Sequence, residues 1–244
     1  LGACYNVFDA EELLEASVQA IRPLVRHVVV VYQTVSNFGE SNDALLPVLT
    51  KLRSDGLVDE LIEYHPKMFT NAEKKALVSP RTTGADLGGA KAEDIADQFM
   101  NEVSKRELGR QACVARGCTH FMCLDVDEFY MRKDLECALQ KMNAGGYHVG
   151  VCRMRFFFRR PEWELMPMDD TNYVPALYKC DPDMMFKVGC PYPVLIDPTR
   201  KLHNATRLLD FPREELEMYH YSFVRNDIRR KVSNVSNRVN YHDG

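Results

Sequence analysis

A single tryptophan, no surplus of cations, no long apolar run and no closely spaced cysteine pair set the first limits on this 244-residue chain. With 31 basic and 35 acidic side chains, a formal net charge of -4, it lacks the cation excess that neutralises a phosphate backbone. No nucleic-acid partner is expected, local basic patches aside. The most apolar run, residues 27–32, is far too short to cross a bilayer, and no leader peptide is visible. Internal repeats and low-complexity tracts are missing too. None of the eight cysteines (Cys4, Cys113, Cys118, Cys123, Cys137, Cys152, Cys180, Cys190) forms a C-x-x-C pair, and several sit in apolar runs where a free thiol acts as a small hydrophobe. They read as reduced core residues, which fits a cytoplasmic setting. The chain opens at Leu1 without Met and runs straight into a strand, as a piece of a longer multidomain protein would.

What is present is an ordinary globular composition, 45% hydrophobic and 27% charged, long enough for one sizeable α/β core. Residues 1–5 predict a short strand. Asp9 and Glu12 have capping-box-like spacing, and Leu13, Leu14, Val18, Ile21 and Leu24 recur at helical intervals, predicting a helix over 10–24. Residues 28–32 are continuous, apolar and β-branched, the pattern of a parallel strand buried on both faces. A second round follows: helix over 44–53 stopped near Gly56, and strand over 60–64. Residues 71–89, rich in Ser, Thr, Gly and charge, predict a mobile excursion. Helix over 92–115, closed by Gly117, leads into an apolar strand over 119–124. Beyond it come a helix over 135–142, a turn at Gly145-Gly146 and a strand over 149–158. The last third is broken by prolines, with short candidate elements at 214–221 and 228–237. The organisation is one compound α/β domain whose irregular half is rich in aromatics.

Asp125-Val126-Asp127-Glu128 follows directly on the apolar strand. In an open α/β sheet, ligands sit beyond the carboxyl ends of the strands, so both aspartates face a crevice. Residues two apart on an extended chain point the same way, which aims both carboxylates at one cation. Carboxylates suit Mn²⁺ or Mg²⁺, which bridge phosphate oxygens and stabilise a leaving diphosphate. An acidic surface turn is the bland alternative. A phosphatase of the haloacid dehalogenase type also places D-x-D after an apolar strand, but on its first strand and with Thr or Val where this chain has Phe129.

The sequence resembles the GT-A glycosyltransferases, in their family-2-like branch. Three segments carry the likeness: Asn6-Val7-Phe8-Asp9-Ala10-Glu11-Glu12-Leu13-Leu14; Lys105-Arg106-Glu107-Leu108-Gly109-Arg110 leading to Leu124-Asp125-Val126-Asp127-Glu128-Phe129; and His220-Tyr221-Ser222-Phe223-Val224-Arg225 followed by Lys231. They span most of the chain, from Ala3 to Asn237. The resemblance implies a Rossmann-like, mainly parallel sheet flanked by helices, in a single domain over 1–244. Its nucleotide-sugar half would be 1–130 and its acceptor half 131–244. Asp127 would ligate the metal, with Asp125 nearer the donor ribose or sugar and His220 as a distant ligand. Lys105 and Arg106 would reach the donor, and Arg225 and Lys231 its diphosphate. The base would lie over the loop that begins at Gln33 and near Glu63. On the residues alone, His220 fits an aromatic core cluster equally well, and the basic residues of 105–110 and 225–231 fit solvated stripes.

Inverting members of the branch use a carboxylate base, commonly in a Glu-Asp pair after D-x-D. This chain has no such pair there. Asp169-Asp170, Asp197, Asp210 and Glu214-Glu215 are the available acids, none privileged by sequence; Asp210 and Glu214 join Asp125 and Asp127 as catalytic candidates, and a retaining outcome stays open. Arg155, Phe156, Phe157, Phe158, Arg159, Arg160 and Trp163 mark an acceptor region, although the three phenylalanines also read as core. Asn204-Ala205-Thr206 and Asn234-Val235-Ser236 match the glycosylation triplet by chance in a cytoplasmic chain. The expectation is transfer of a sugar, UDP-linked by default, to a glycan or other hydroxyl acceptor. Its rivals are another phosphoryl-transfer enzyme, a nucleotidyltransferase or phosphatase, and a non-catalytic carbohydrate- or partner-binding module on the same fold.

Overall fold

The computed structural model describes residues 1–82, 87 and 90–234. Strand β1 (Gly2–Val7), helix α1 (Leu14–Ile21) and strand β2 (His27–Tyr32) form the first crossover, and α2 (Leu45–Ser54) and β3 (Glu60–Glu63) the second. Then come α3 (Asn71–Leu77), α4 (Asp97–Ala115), β4 (His120–Leu124), the short β5 (Glu128–Phe129) and α5 (Arg132–Gly145). The last third contributes β6 (Val149–Phe158), β7 (Asn172–Lys179), β8 (Met185–Phe186), β9 (Leu195–Ile196), β10 (Leu202–His203), β11 (Leu208–Asp210), β12 (Glu217–Phe223) and α6 (Ile228–Asn234). One ten-stranded sheet runs β3-β2-β1-β4-β7-β6-β12-β5, with β11 beside β6 and β9 beside β7, while β8 and β10 pair separately. The strands β3, β2, β1 and β4 are mutually parallel; β7 enters antiparallel to β4, so both halves of the chain share one sheet. The fold class is the α/β, mainly parallel arrangement expected from the sequence.

The continuous apolar runs explain why these strands are central. Ala3, Tyr5, Val28, Val30, Met122 and Leu124 enter one core with α1, α2 and α5. Their neighbours Cys4, Val29, Phe121 and Cys123 enter another against α4 and Phe186. Alternate residues of a strand point to opposite faces, so both faces are covered only if nearly every position is apolar. All eight thiols are free and six are buried, but Cys180 is half-buried and Cys137 exposed on α5. Left-handed glycines end two helices as expected, Gly117 (φ 69°) after α4 and Gly146 (φ 63°) after α5.

Two local expectations fail. Helix α1 starts at Leu14, not residue 10, and Leu13 caps it without a side-chain bond. Asp9 lies instead 3.6 Å from both Arg225 and Arg230, and Glu12 accepts from the Asn226 backbone at 3.0 Å. Tertiary partners have outbid the local cap. The excursion expected at 71–89 begins as helix α3, with a full capping box between Thr70 and Glu73, and Ser79 donates its N–H to the Val188 carbonyl at 2.9 Å. Its positions 83–86 and 88–89 lie outside the described residues, as do Ser236 and Asn237. No helix among the described residues is long and apolar enough to cross a membrane.

Candidate active site

At Leu124 the apolar strand ends and the chain turns through Asp125, Val126 and Asp127 before β5 begins. Glu128 closes this turn twice: its N–H reaches the Asp125 carbonyl at 3.2 Å, and its carboxylate accepts from the Asp125 N–H at 3.3 Å. Because the segment is not extended, the rule that aims residues two apart at one point does not apply, and the two aspartates meet different partners. Asp125 accepts from Arg106 at 3.4 Å and Arg200 at 2.6 Å. Asp127 directs Oδ2 to Arg225 at 3.0 Å and Lys231 at 3.1 Å.

The other oxygen of Asp127 is unusual. Oδ1 is buried without a hydrogen-bond partner, and His220 Nε2 stands 3.7 Å from it; His220 Nδ1 is also unpartnered. The imidazole is delivered by sheet register, since β12 pairs antiparallel with β5 and sets His220 opposite Glu128. Glu128 is itself buried and held by Arg200 through both nitrogens of the guanidinium fork. Burial opposes ionisation of both aspartates, yet the cations prevail. Arg106 and Arg200 hold Asp125, and Lys231 with His220 and Arg225 holds Asp127, well below the usual carboxylate range. At Glu128 burial wins and its pKa is raised despite Arg200.

These groups line a cleft of about 580 Å³ at the carboxyl ends of β1 and β4. Six carboxylates face four cations along its walls. Lys105, Arg106, Asp125, Asp127, His220 and Lys231 from the sequence-derived set all line it, and Arg225 sits behind Asp127, 2% exposed. Lys105, Arg106 and Arg110 are buried, so that face of α4 is not a solvated stripe; Arg110 points away to Glu107 and the Asp181 carbonyl. Gln33 follows β2 and Glu63 ends β3, and neither lines this cleft; Gln33 is buried with Oε1 unpartnered and Glu63 is exposed. Asp210, on β11, meets Arg153 at 3.4 Å and the Tyr173 hydroxyl at 3.3 Å, and Glu214 lies in an exposed turn; neither lines the cleft. In the stretch expected to meet an acceptor, Phe157 is buried, Phe156 packs on His220 at 5.4 Å, and Trp163 is 52% exposed under Arg160. Arg155 is taken by Glu217 at 2.8 Å.

Sequence reasoning missed Arg200, which bridges Asp125 and Glu128, and Asn6, a buried cleft amide with both polar atoms unpartnered. Asn6 stood in a motif without a role. Arg200 had no signal, because only the folded loop after β9 brings it to the acidic turn. Among the described residues no group of three or more His, Cys, Asp or Glu is arranged to hold a metal.

No protein-family model matches the sequence, and no curated protein matches it significantly. Solved structures do. S. aureus TarS superposes with a TM-score of 0.52 at 10% identity, over 99% of this chain and 43% of TarS. Its 1–349 fragment in complex with UDP-GlcNAc gives 0.54 at 11% identity, over 96% of this chain and 61% of that one. The same fragment with UDP gives 0.51 at 11%, over 99% and 71%. The chain thus spans less than half the length of TarS. At such identities the likeness is one of architecture: this chain has the GT-A-like glycosyltransferase fold.

Proposed function

We propose that the cleft binds a nucleotide diphosphate sugar and moves its sugar to a hydroxyl acceptor, a glycan in the first instance, with Mn²⁺ or Mg²⁺ held by Asp127 and His220. The observation that carries this reading is the buried, unpartnered Oδ1 of Asp127 facing an imidazole nitrogen at 3.7 Å. A buried anionic oxygen without a partner is costly, and a carboxylate oxygen beside an imidazole is an ordinary ligand pair for a first-row divalent cation. Charge supports the same fit: a diphosphate entering among six carboxylates and four cations needs an added positive charge. The donor's phosphate oxygens and water would complete the coordination. When bound, the ion supplies positive charge to the leaving diphosphate.

The chain's own residues take the remaining tasks. Asp125, fixed by two guanidinium groups, faces the donor ribose or sugar rather than the ion. Lys105 and Arg106 line the donor side, and Arg225 and Lys231 turn from Asp127 toward the diphosphate. The unpartnered amide of Asn6 is a ready donor–acceptor pair for the nucleoside, with Gln33 and Glu63 further out. Residues 1–130 form the nucleotide-sugar half and 131–244 the acceptor half, the latter lending His220, Arg225 and Lys231 to the diphosphate end of the donor. Uridine is the favoured base, as the fold's likeness includes complexes with UDP and UDP-GlcNAc.

Thermal unfolding with UDP, GDP and their sugars, each with and without Mn²⁺, tests the proposal. A ligand bound only by the native state adds about 2.7 kcal/mol at a hundredfold excess over its Kd. The expected result is a shift that needs nucleotide and metal together and disappears in Asp127→Asn, which keeps an oxygen for Arg225 and Lys231 and should not turn over. Wild-type-like turnover in that variant, or no shift with any nucleotide, rejects it.

A further inference from the structure

Of the six carboxylates in the cleft, five are already engaged. Asp125, Asp127 and Glu128 are held as described, Glu102 accepts from Lys105 at 2.8 Å, and Asp9 lies 3.6 Å from Arg225 and Arg230. Asp197 differs. Its Oδ1 accepts the N–H and the hydroxyl of Thr199, each at 2.8 Å, and so caps the turn Pro198–Arg200. Among the described residues its Oδ2 accepts no hydrogen bond, and the cation nearest it is Arg200, with Nε at 3.9 Å. Its side chain is 46% exposed, more than that of any other acid in the cleft. An incoming hydroxyl reaches this oxygen without displacing a partner.

We infer that Asp197 is the general base that deprotonates the acceptor, an assignment resting on the glycosyl-transfer reading above. Oδ2 takes the hydroxyl proton as the acceptor oxygen bonds to the anomeric carbon. The bond from that carbon to the diphosphate breaks on the opposite side, its electron pair leaves with the phosphate oxygen, and the proton then passes from Asp197 to water. The configuration inverts. Two links fix this base relative to the donor side. Thr199, which binds Oδ1, also accepts from Arg106 Nε at 3.3 Å, and the Arg200 guanidinium beside Oδ2 reaches Asp125 at 2.6 Å. Placement of this kind is what converts a reachable carboxylate into an effective one.

The competing role, a cap on a short turn, uses Oδ1 alone, and asparagine or serine caps equally well. Asp197→Asn and Asp197→Ser therefore separate the two roles. UDP affinity is measured by calorimetry with Mn²⁺, and turnover as release of UDP or GDP from UDP-GlcNAc and other UDP- and GDP-sugars, with methyl glycosides or water alone as acceptor. Both variants should melt and bind UDP like the wild type and release the nucleoside diphosphate about 10²- to 10⁴-fold more slowly. Turnover within a few-fold of wild type overturns the assignment. So does loss of UDP binding in step with turnover, which marks a positioning role. If the wild type neither binds nor hydrolyses any nucleotide sugar, the glycosyl-transfer reading falls and the base with it.

Discussion

Arg200 belongs to no motif, yet Asp125 and Glu128 both lean on its guanidinium. Glu128 and Arg200 are 3% and 4% exposed, so neither charge has water to fall back on. Removing one partner of a buried pair leaves the other uncompensated, at about 3–5 kcal/mol. Arg200→Met should lower the urea-derived unfolding free energy by that amount, and Glu128→Gln in the same chain should restore part of it. A loss below about 1 kcal/mol would mean that the pair is not structural. The contrast with Asp125 and Asp127 shows what a sequence can reveal at this scale. Acids directly after an apolar strand stand out as a pattern, whereas an arginine in a proline-rich loop acquires meaning only when folding carries it about seventy residues back to the acidic turn.

At the scale of elements, the seating of α4 on β1 sets how far Lys105 and Arg106 reach into the cleft. Gly109 makes that seating possible. A Cβ there would stand 2.6 Å from Cys4 Cβ, an atom fixed to the β1 backbone. Propensity alone favours Gly109→Ala by about 1 kcal/mol in a helix interior. The clash should prevail, with a net loss of about 1–3 kcal/mol by chemical denaturation and a weaker hold on the donor. An increase in stability would show that the helix can shift outward freely. Helix α4 and strands β1, β2 and β4 were readable because their patterns are long or continuous. The start of α1 was misread because Asp9 and Glu12 serve the C-terminal segment, and nothing within a ten-residue window records that.

For the molecule as a whole, acid should be the sensitive condition. His120 sits inside the sheet, and burial, aided by Lys179, lowers its pKa to about 4. Between about pH 6.5 and 4 the unfolded chain takes up a proton there that the folded chain refuses, so stability falls as pH drops through that window. Below about pH 4, Asp125 and Asp127 add to the loss, since both stay ionised in the fold where the unfolded chain protonates. Urea midpoints should decline from pH 7 to 4.5, and His120→Gln should flatten that decline; an equal slope in the variant would reject the assignment. The same scale shows why the halves of the chain were unequally legible. The first half alternates strand and helix with short connections. The second half joins its sheet through β7 and reaches the acidic turn through β12, pairings of long sequence separation that no local pattern encodes.

The pairing of β5 with β12 also orders events in time. Glu128 and His220 are sheet neighbours about ninety residues apart in the chain. During synthesis the acidic turn leaves the ribosome well before the imidazole, Arg225 and Lys231 that will restrain it. Until β12 and α6 dock, Asp127 therefore lacks Arg225 and Lys231, the two cations that hold it in the finished fold.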